Sequence, residues 1–191
     1  MNHTTGALRY RIGQFLRAVT ARTWETETGL AARVLTPASL DLFRAMSVQD
    51  QRHGLDVYAS LCRAGHTDPH LLAAALLHDV GKAAARLPAW QRALIVLLER
   101  FAPRLLARLS RWEPSEYGPG SVADLAPALP PGWRRPFIVH VCHPEIGARW
   151  AREAGCSPLT VALIRQHHDP AETGTDGEQF LVALQAADST N

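Results

Sequence analysis

Apolar residues recur at three- and four-residue spacing along nearly the whole chain, the mark of amphipathic helices. Leu8, Ile12, Phe15, Leu16 and Val19 predict a first helix. Thr36-Pro37 supplies a cap followed by a first-turn proline, opening a short helix through Phe43. Ser47-Val48-Gln49-Asp50 resembles a capping box and opens a helix that carries His53 and Tyr58 and ends near Gly65. Asp68-Pro69 begins the next, with Leu72, Ala75, Leu76 and Asp79 on one side and Gly81 interrupting or closing it. Pro144 is expected to open a helix just after His143, with Gly155 stopping it; Ser157-Pro158 opens another that ends around His167-His168. A last helix is predicted from about Glu178 to Asp188. No run alternates apolar and polar residues well enough for a strand, and no repeat of solenoid spacing occurs. The expected fold is all-α, a single-domain helical bundle.

Residues 84–136 break the pattern. Leu94, Leu97, Leu98, Phe101, Leu105 and Leu109 form an apolar stripe, Arg100, Arg104, Arg108 and Arg111 a basic one, and Pro103 should kink or split the element. The reading is a core-packed helical pair with a solvated arginine face. Contact with a membrane surface, or a lid over a phosphate substrate, is the secondary reading. The proline- and glycine-rich stretch 113–136 reads as a long loop.

Composition narrows the class. The 191 residues suffice for one domain with a substantial core, and 47% apolar with 20% charged residues argues against disorder. A formal net charge of +2 does not call for a nucleic-acid polymer. Cys62, Cys142 and Cys156 are scattered and odd in number, so reduced thiols are expected rather than a disulfide framework or a zinc knuckle. With no signal-peptide-like apolar segment and no stretch of membrane-spanning length, the expected location is the cytoplasm.

The chemistry lies in histidines and aspartates. His78-Asp79 stands at the polar end of the apolar string LLAAALLHDVGK, with Lys82 four residues beyond His78. Neighbouring side chains on a helix diverge by about 100°. The carboxylate of such a pair can therefore bridge two ions while the imidazole serves one. A cation at Lys82 is poorly placed as a structural ion pair in an apolar helix and well placed to hold a phosphate oxygen. His53, His143, His167, His168 and Asp188 lie on other segments. A lone histidine on a helix is ordinarily a satisfied polar residue; the arrangement of the set is what points to divalent transition-metal ions. His167 and His168 can face one metal together only if the helix end is distorted. Otherwise one is a ligand and the other contacts substrate. Asp188, followed by three residues, can be a ligand only if its helix is docked and ordered.

The strings QRHGLDVYASL, LLAAALLHDVGK, HPEIGARWAREAG, LIRQHHD and ALQAADS follow the order of the HD superfamily of metal-dependent phosphohydrolases, which residues 45–190 resemble, with 84–136 as an insertion. The resemblance implies an N-terminal helical extension over 1–44 and an HD domain over 45–191. His143 and His167-His168 make the ligand set similar to the binuclear branch that includes the HD-GYP phosphodiesterases. It implies His53, His78, Asp79 and Asp188 on a first ion, and Asp79, His143, His167 and His168 on a second. The expected cofactors are two divalent ions, Mn or Fe first, with Mg, Ni or Zn as alternatives. Asp79, Lys82 and His168 are the expected catalytic residues. Lys82 and Arg149 are expected to contact phosphate, although Glu145, four residues before Arg149, offers that arginine an ion pair instead. His140 or the free member of the tandem pair would protonate the leaving group. The chain departs from the HD-GYP group after His168, where DPAETGTDGEQF has no glycine-tyrosine-proline segment, and it carries Gln49 where some relatives carry a third-ion glutamate. The implied partner is a small phosphorylated substrate, a nucleotide or cyclic dinucleotide; a homodimer is compatible. An HD-type di-iron oxygenase resembling myo-inositol oxygenase, and a non-catalytic metal- or nucleotide-binding regulator, are the alternatives.

Overall fold

A computed structural model describes residues 25–85, 89–111, 132–171 and 177–191. The helix expected around Leu8–Val19, and most of the loop expected over 113–136, lie outside them. The described residues are helices joined by turns, with no strand among them. The helices are α1 (Glu25–Val34), α2 (Pro37–Ala45), α3 (Val48–Arg63), α4 (Pro69–Leu77), α5 (Ala89–Phe101), α6 (Pro103–Leu109), α7 (Arg135–Glu153), α8 (Pro158–Gln166) and α9 (Glu178–Thr190), with a 3₁₀ turn over Val80–Ala84 between α4 and α5.

Helix starts follow the capping chemistry of the sequence. The hydroxyls of Thr36, Ser47 and Ser157 accept from the backbone N–H three residues on, and the Asp68 carboxylate accepts from His70 and Leu71. Each cap occupies an otherwise orphaned helix donor. Gly65 and Gly155, at φ +89° and +77°, end α3 and α7 in the left-handed conformation that favours glycine.

Helix α4 is the axis of the bundle. Leu71, Ala74, Ala75, Leu76 and Leu77 are buried on all sides, and α1, α2, α3, α8 and α9 pack around them. Ala31, Leu35, Leu40 and Phe43 of the α1–α2 region join the same core as Leu163, Ile164 and Leu184. No described helix is long and apolar enough to cross a membrane.

Two expectations change. Pro144 does not open a helix: α7 runs unbroken through it. Pro103 does split its element, separating α5 from α6. But the pair is not core-packed along its stripe. Only Ile95 and Leu106 are buried, in a small separate cluster with Phe137, while Trp90, Leu97 and Phe101 lie at the surface. A period of 3.6 shows that a helix has an apolar face, not what covers it.

Candidate metal centre

The candidate ligands come from helix ends and helix interiors alike and gather at the C-terminal end of α4. His78 and Asp79 follow its last turn, and His167 and His168 follow that of α8. His53 comes from α3, His143 from α7 and Asp188 from α9. Close helix contacts bring them together. Gly54, beside His53, lies where a Cβ would stand 3.0 Å from the Leu76 carbonyl, and Gly81 and Gly147 let the 3₁₀ turn meet α7 backbone to backbone. Helix α9 is docked through buried Leu181, Leu184 and Ala187, and the Asn191 amide donates to Ser60 at 2.9 Å. Asp188 is therefore held in place.

Three imidazoles are anchored in the same way. Nδ1 of His78, His143 and His167 lies 2.9, 2.7 and 2.7 Å from the carbonyl three residues back, on Ala75, His140 and Ile164. A carbonyl only accepts, so Nδ1 carries the hydrogen and, in the neutral ring, Nε2 keeps its lone pair. Ala75 and Ile164 lie in last turns, where carbonyls lack intrahelical donors. The His140 carbonyl is inside α7, and its donor would have been the N–H of residue 144. Proline has none. Pro144 thus frees the acceptor that orients His143.

The Nε2 atoms converge. Those of His143 and His167 are 3.3 Å apart. Two facing lone pairs repel unless a cation lies between them. Nε2 of His78 is buried with no hydrogen-bond partner among the described residues, 3.7 Å from Asp79 Oδ2 and 3.6 Å from Asp188 Oδ1. A buried, oriented, unpaired donor atom of this kind is what a metal ligand requires.

Asp79 stands between two groups. Oδ1 faces His143 and His167 at 3.3 and 3.9 Å, while Oδ2 faces His78 at 3.7 Å and Lys82 at 2.5 Å. On one side His143, His167 and His168 offer nitrogens within 4.8 Å of one another; on the other, His53, His78 and Asp188 do the same with two nitrogens and an oxygen. His53 Nε2 lies 2.8 Å from Asp188 Oδ1. The tandem histidines act together because α8 ends at Gln166: the turn beyond it brings the rings of His167 and His168 to 4.0 Å, and His168 to 5.2 Å from His143. Gln185 of α9 holds this turn, donating to the His167 and Asp169 carbonyls.

Protonation states suit ligation. Burial, then the charge on His78, pushes His167 down to about 3. Burial also lowers His143 and His168. Burial opposes the imidazolium of His78, yet the charges of Asp79 and Asp188 outweigh it and raise that pKa: the carboxylates draw positive charge to this nitrogen. Burial disfavours the Asp79 and Asp188 anions, but Lys82 and His78 hold Asp79 well below the usual carboxylate range, and the hydrogen bond with His53 and the nearby His78 lower Asp188. With neutral imidazoles, two carboxylates face one ammonium. The residues fit divalent cations.

Of the remaining sequence candidates only Lys82 reaches the centre. Lys82 is in an ion pair with Asp79, the arrangement that its apolar helix was expected to disfavour, because the 3₁₀ turn redirects it. Arg149 pairs with Glu145 at 3.1 Å, and Arg165 pairs with the same carboxylate at 2.7 Å. The His140 ring binds Glu99 at 2.7 Å; its carbonyl, not its imidazole, serves the centre. An open cleft of about 550 Å³ beside Glu99, Leu106 and Val141 is lined by none of the centre's histidines or aspartates. Pro144, Gly54, Gly147 and Gln185 were missed; a proline directly after a histidine was the one readable signal. Comparisons with protein-family models, curated proteins and solved structures find no match for this chain.

Pro144→Ala separates orientation from folding. Restoring the residue-144 N–H returns the His140 carbonyl to the helix ladder and leaves Nδ1 of His143 without its anchor. Cation affinity should fall roughly 10- to 100-fold. The thermal midpoint of the cation-free protein should hold or rise, since interior proline disfavours a helix. Calorimetric titration with Mn²⁺ and a melting curve read the two effects, and unchanged affinity would remove the anchoring role.

Proposed function

We propose that this chain is a binuclear metal-dependent phosphohydrolase of HD type, acting on a phosphoester or phosphodiester, with a nucleotide or cyclic dinucleotide as the substrate class. One observation carries the reading: the two oxygens of Asp79 are turned toward two separate ligand groups. His53, His78 and Asp188 would hold one ion with Asp79, and His143, His167 and His168 the other. Two cations so held supply an acidified water at neutral pH and neutralise charge on phosphoryl oxygens.

The chain's own residues do the rest. His78, Asp79, His143 and His167 are buried and form a rigid floor. His53, Asp188 and Lys82 each keep about a quarter of their side chains exposed, and His168 is exposed, which makes an open rim. Structural metal sites close their coordination sphere, whereas catalytic ones leave access. Lys82, at the rim, would hold a phosphoryl oxygen with its ammonium. His168, on the solvent side of its group, would complete the second ion's ligands and leave that ion open to substrate.

The test is a screen of phosphodiesters and nucleotides with protein loaded with Mn²⁺ or Fe²⁺. Hydrolysis that disappears with chelator and returns with cation is expected. Oxygen consumption by the Fe²⁺ form without phosphate release would select the oxygenase. Nucleotide binding without turnover in any metal would select the regulator.

A further inference from the structure

We infer that the α5–α6 hairpin is a docking surface for an anionic lipid bilayer, lying in the membrane interface without crossing it. The observation is independent of the metal centre. Trp90, Leu94, Leu97 and Phe101 fall at i, i+4, i+7 and i+11 along α5, and all are exposed, Trp90 by 64%, Leu97 by 54% and Phe101 by 76%. With Val96 and Leu105, six of the eleven large apolar side chains exposed among the described residues belong to this one hairpin, so the exposure is concentrated rather than scattered.

Charge selects the occupant. Residues 89–111 contain five arginines and one acid, Glu99, in a chain whose net charge is only +2. Glu99 is engaged by His140. Arg100, Arg104 and Arg108 are exposed along the stripe, and none forms an ion pair with a described residue. An exposed face of tryptophan, leucine and phenylalanine flanked by arginines, with Arg100 5.6 Å from the Phe101 ring centre, settles about 5–10 Å into the headgroup boundary with its basic groups among the phosphates. A second copy of this chain meets the stripe less well. In a two-fold contact the same patch faces itself, and the arginines would oppose arginines. A bilayer bearing negative headgroups offers hydrocarbon and anion together. The hairpin is also nearly free of the main core, held through Ile95, Leu106 and Phe137, so its outer face is not needed for folding.

The experiment is flotation of the full chain with vesicles of phosphatidylcholine containing about 30% phosphatidylglycerol, and with phosphatidylcholine alone. The chain should float with the anionic vesicles, release in high salt, and ignore the neutral ones. Replacing Arg100, Arg104 and Arg108 with serine should weaken partition about fivefold per arginine. Trp90→Ser with Leu97→Ser and Phe101→Ser should lower it at least roughly tenfold. Both variants should keep the wild-type circular dichroism and Mn²⁺ content, which shows that folding is intact. Absence of flotation by the wild-type chain, or flotation unchanged in both variants, overturns the proposal. So does a wild-type dimer that the serine stripe makes monomeric without any vesicle binding, because the stripe is then a subunit interface.

Discussion

On the proposed binuclear reading, Asp79→Ala should strip both cations from the protein and abolish hydrolysis. Among the described residues Asp79 is the one carboxylate that faces both groups, Oδ1 toward His143 and His167, Oδ2 toward His78. Without them the α7–α8 group is three imidazoles with no anion, and the α3–α9 group relies on Asp188 alone. The Lys82 ammonium loses its direct partner and adds positive charge beside the vacated position. We expect metal content after dialysis to fall from about two ions per chain to near zero, and turnover to drop by roughly three orders of magnitude, about 4 kcal/mol of barrier. Asp79→Asn sharpens the test. Its amide oxygen can serve one cation, but the NH₂ cannot serve the other. At most one ion should remain. Elemental analysis of the two variants against wild type measures this directly, and full occupancy in Asp79→Ala would remove the bridging role.

Gly81→Ala should be the most destabilising single methyl in the described bundle. A Cβ at that position would lie 2.1 Å from the His143 carbonyl oxygen, 2.8 Å from the Gly147 nitrogen and 2.9 Å from the His143 carbonyl carbon. All three are backbone atoms of α7, so no rotamer change relieves the overlap. The helix must retreat from the 3₁₀ turn, and the Arg135 guanidinium, which donates to the Ala84 carbonyl, resists that movement. Overpacking of this kind costs about 3 kcal/mol or more. For a domain of this size that lowers the melting midpoint by roughly 10 °C. Because His143 rides on the displaced segment, the α7–α8 cation should weaken as well. Gly65→Ala is the control. Nothing lies within 4 Å of its Cβ, and only the positive φ resists the side chain. That should cost about 1–2 kcal/mol and leave cation binding intact. Equal melting losses in the two variants would contradict the close-approach account.

The contrast between these glycines shows what was legible in the sequence. Helix starts were, since Thr36, Ser47, Asp68 and Ser157 act on donors two or three residues away, and so were the stops at Gly65 and Gly155. These are local effects, and local order in the chain records them. Gly81 looked like another stop, yet its reason is a helix more than sixty residues distant in sequence, which periodicity does not record. Pro144 followed the first-turn rule on paper. In the structure α7 already has Pro136 at its start, and Pro144 lies within it, freeing a carbonyl for a side chain. The arginine-flanked stripe of α5 and α6 was legible as amphipathic, but its covering was not, because a pattern carries no information about the far side of a contact. For the candidate centre, the residue set was readable from order and type. How His167 and His168 share one side was not, since that depends on where α8 ends and on the hold of Gln185.

Anomalous scattering from a crystal of the wild-type chain loaded with Mn²⁺ measures the geometry of the centre without recourse to any substrate. Two peaks per chain are expected, one beside His53, His78 and Asp188, the other beside His143, His167 and His168, with the carboxylate of Asp79 in contact with both. A single peak, or a pair in which Asp79 touches only one ion, would contradict the binuclear assignment.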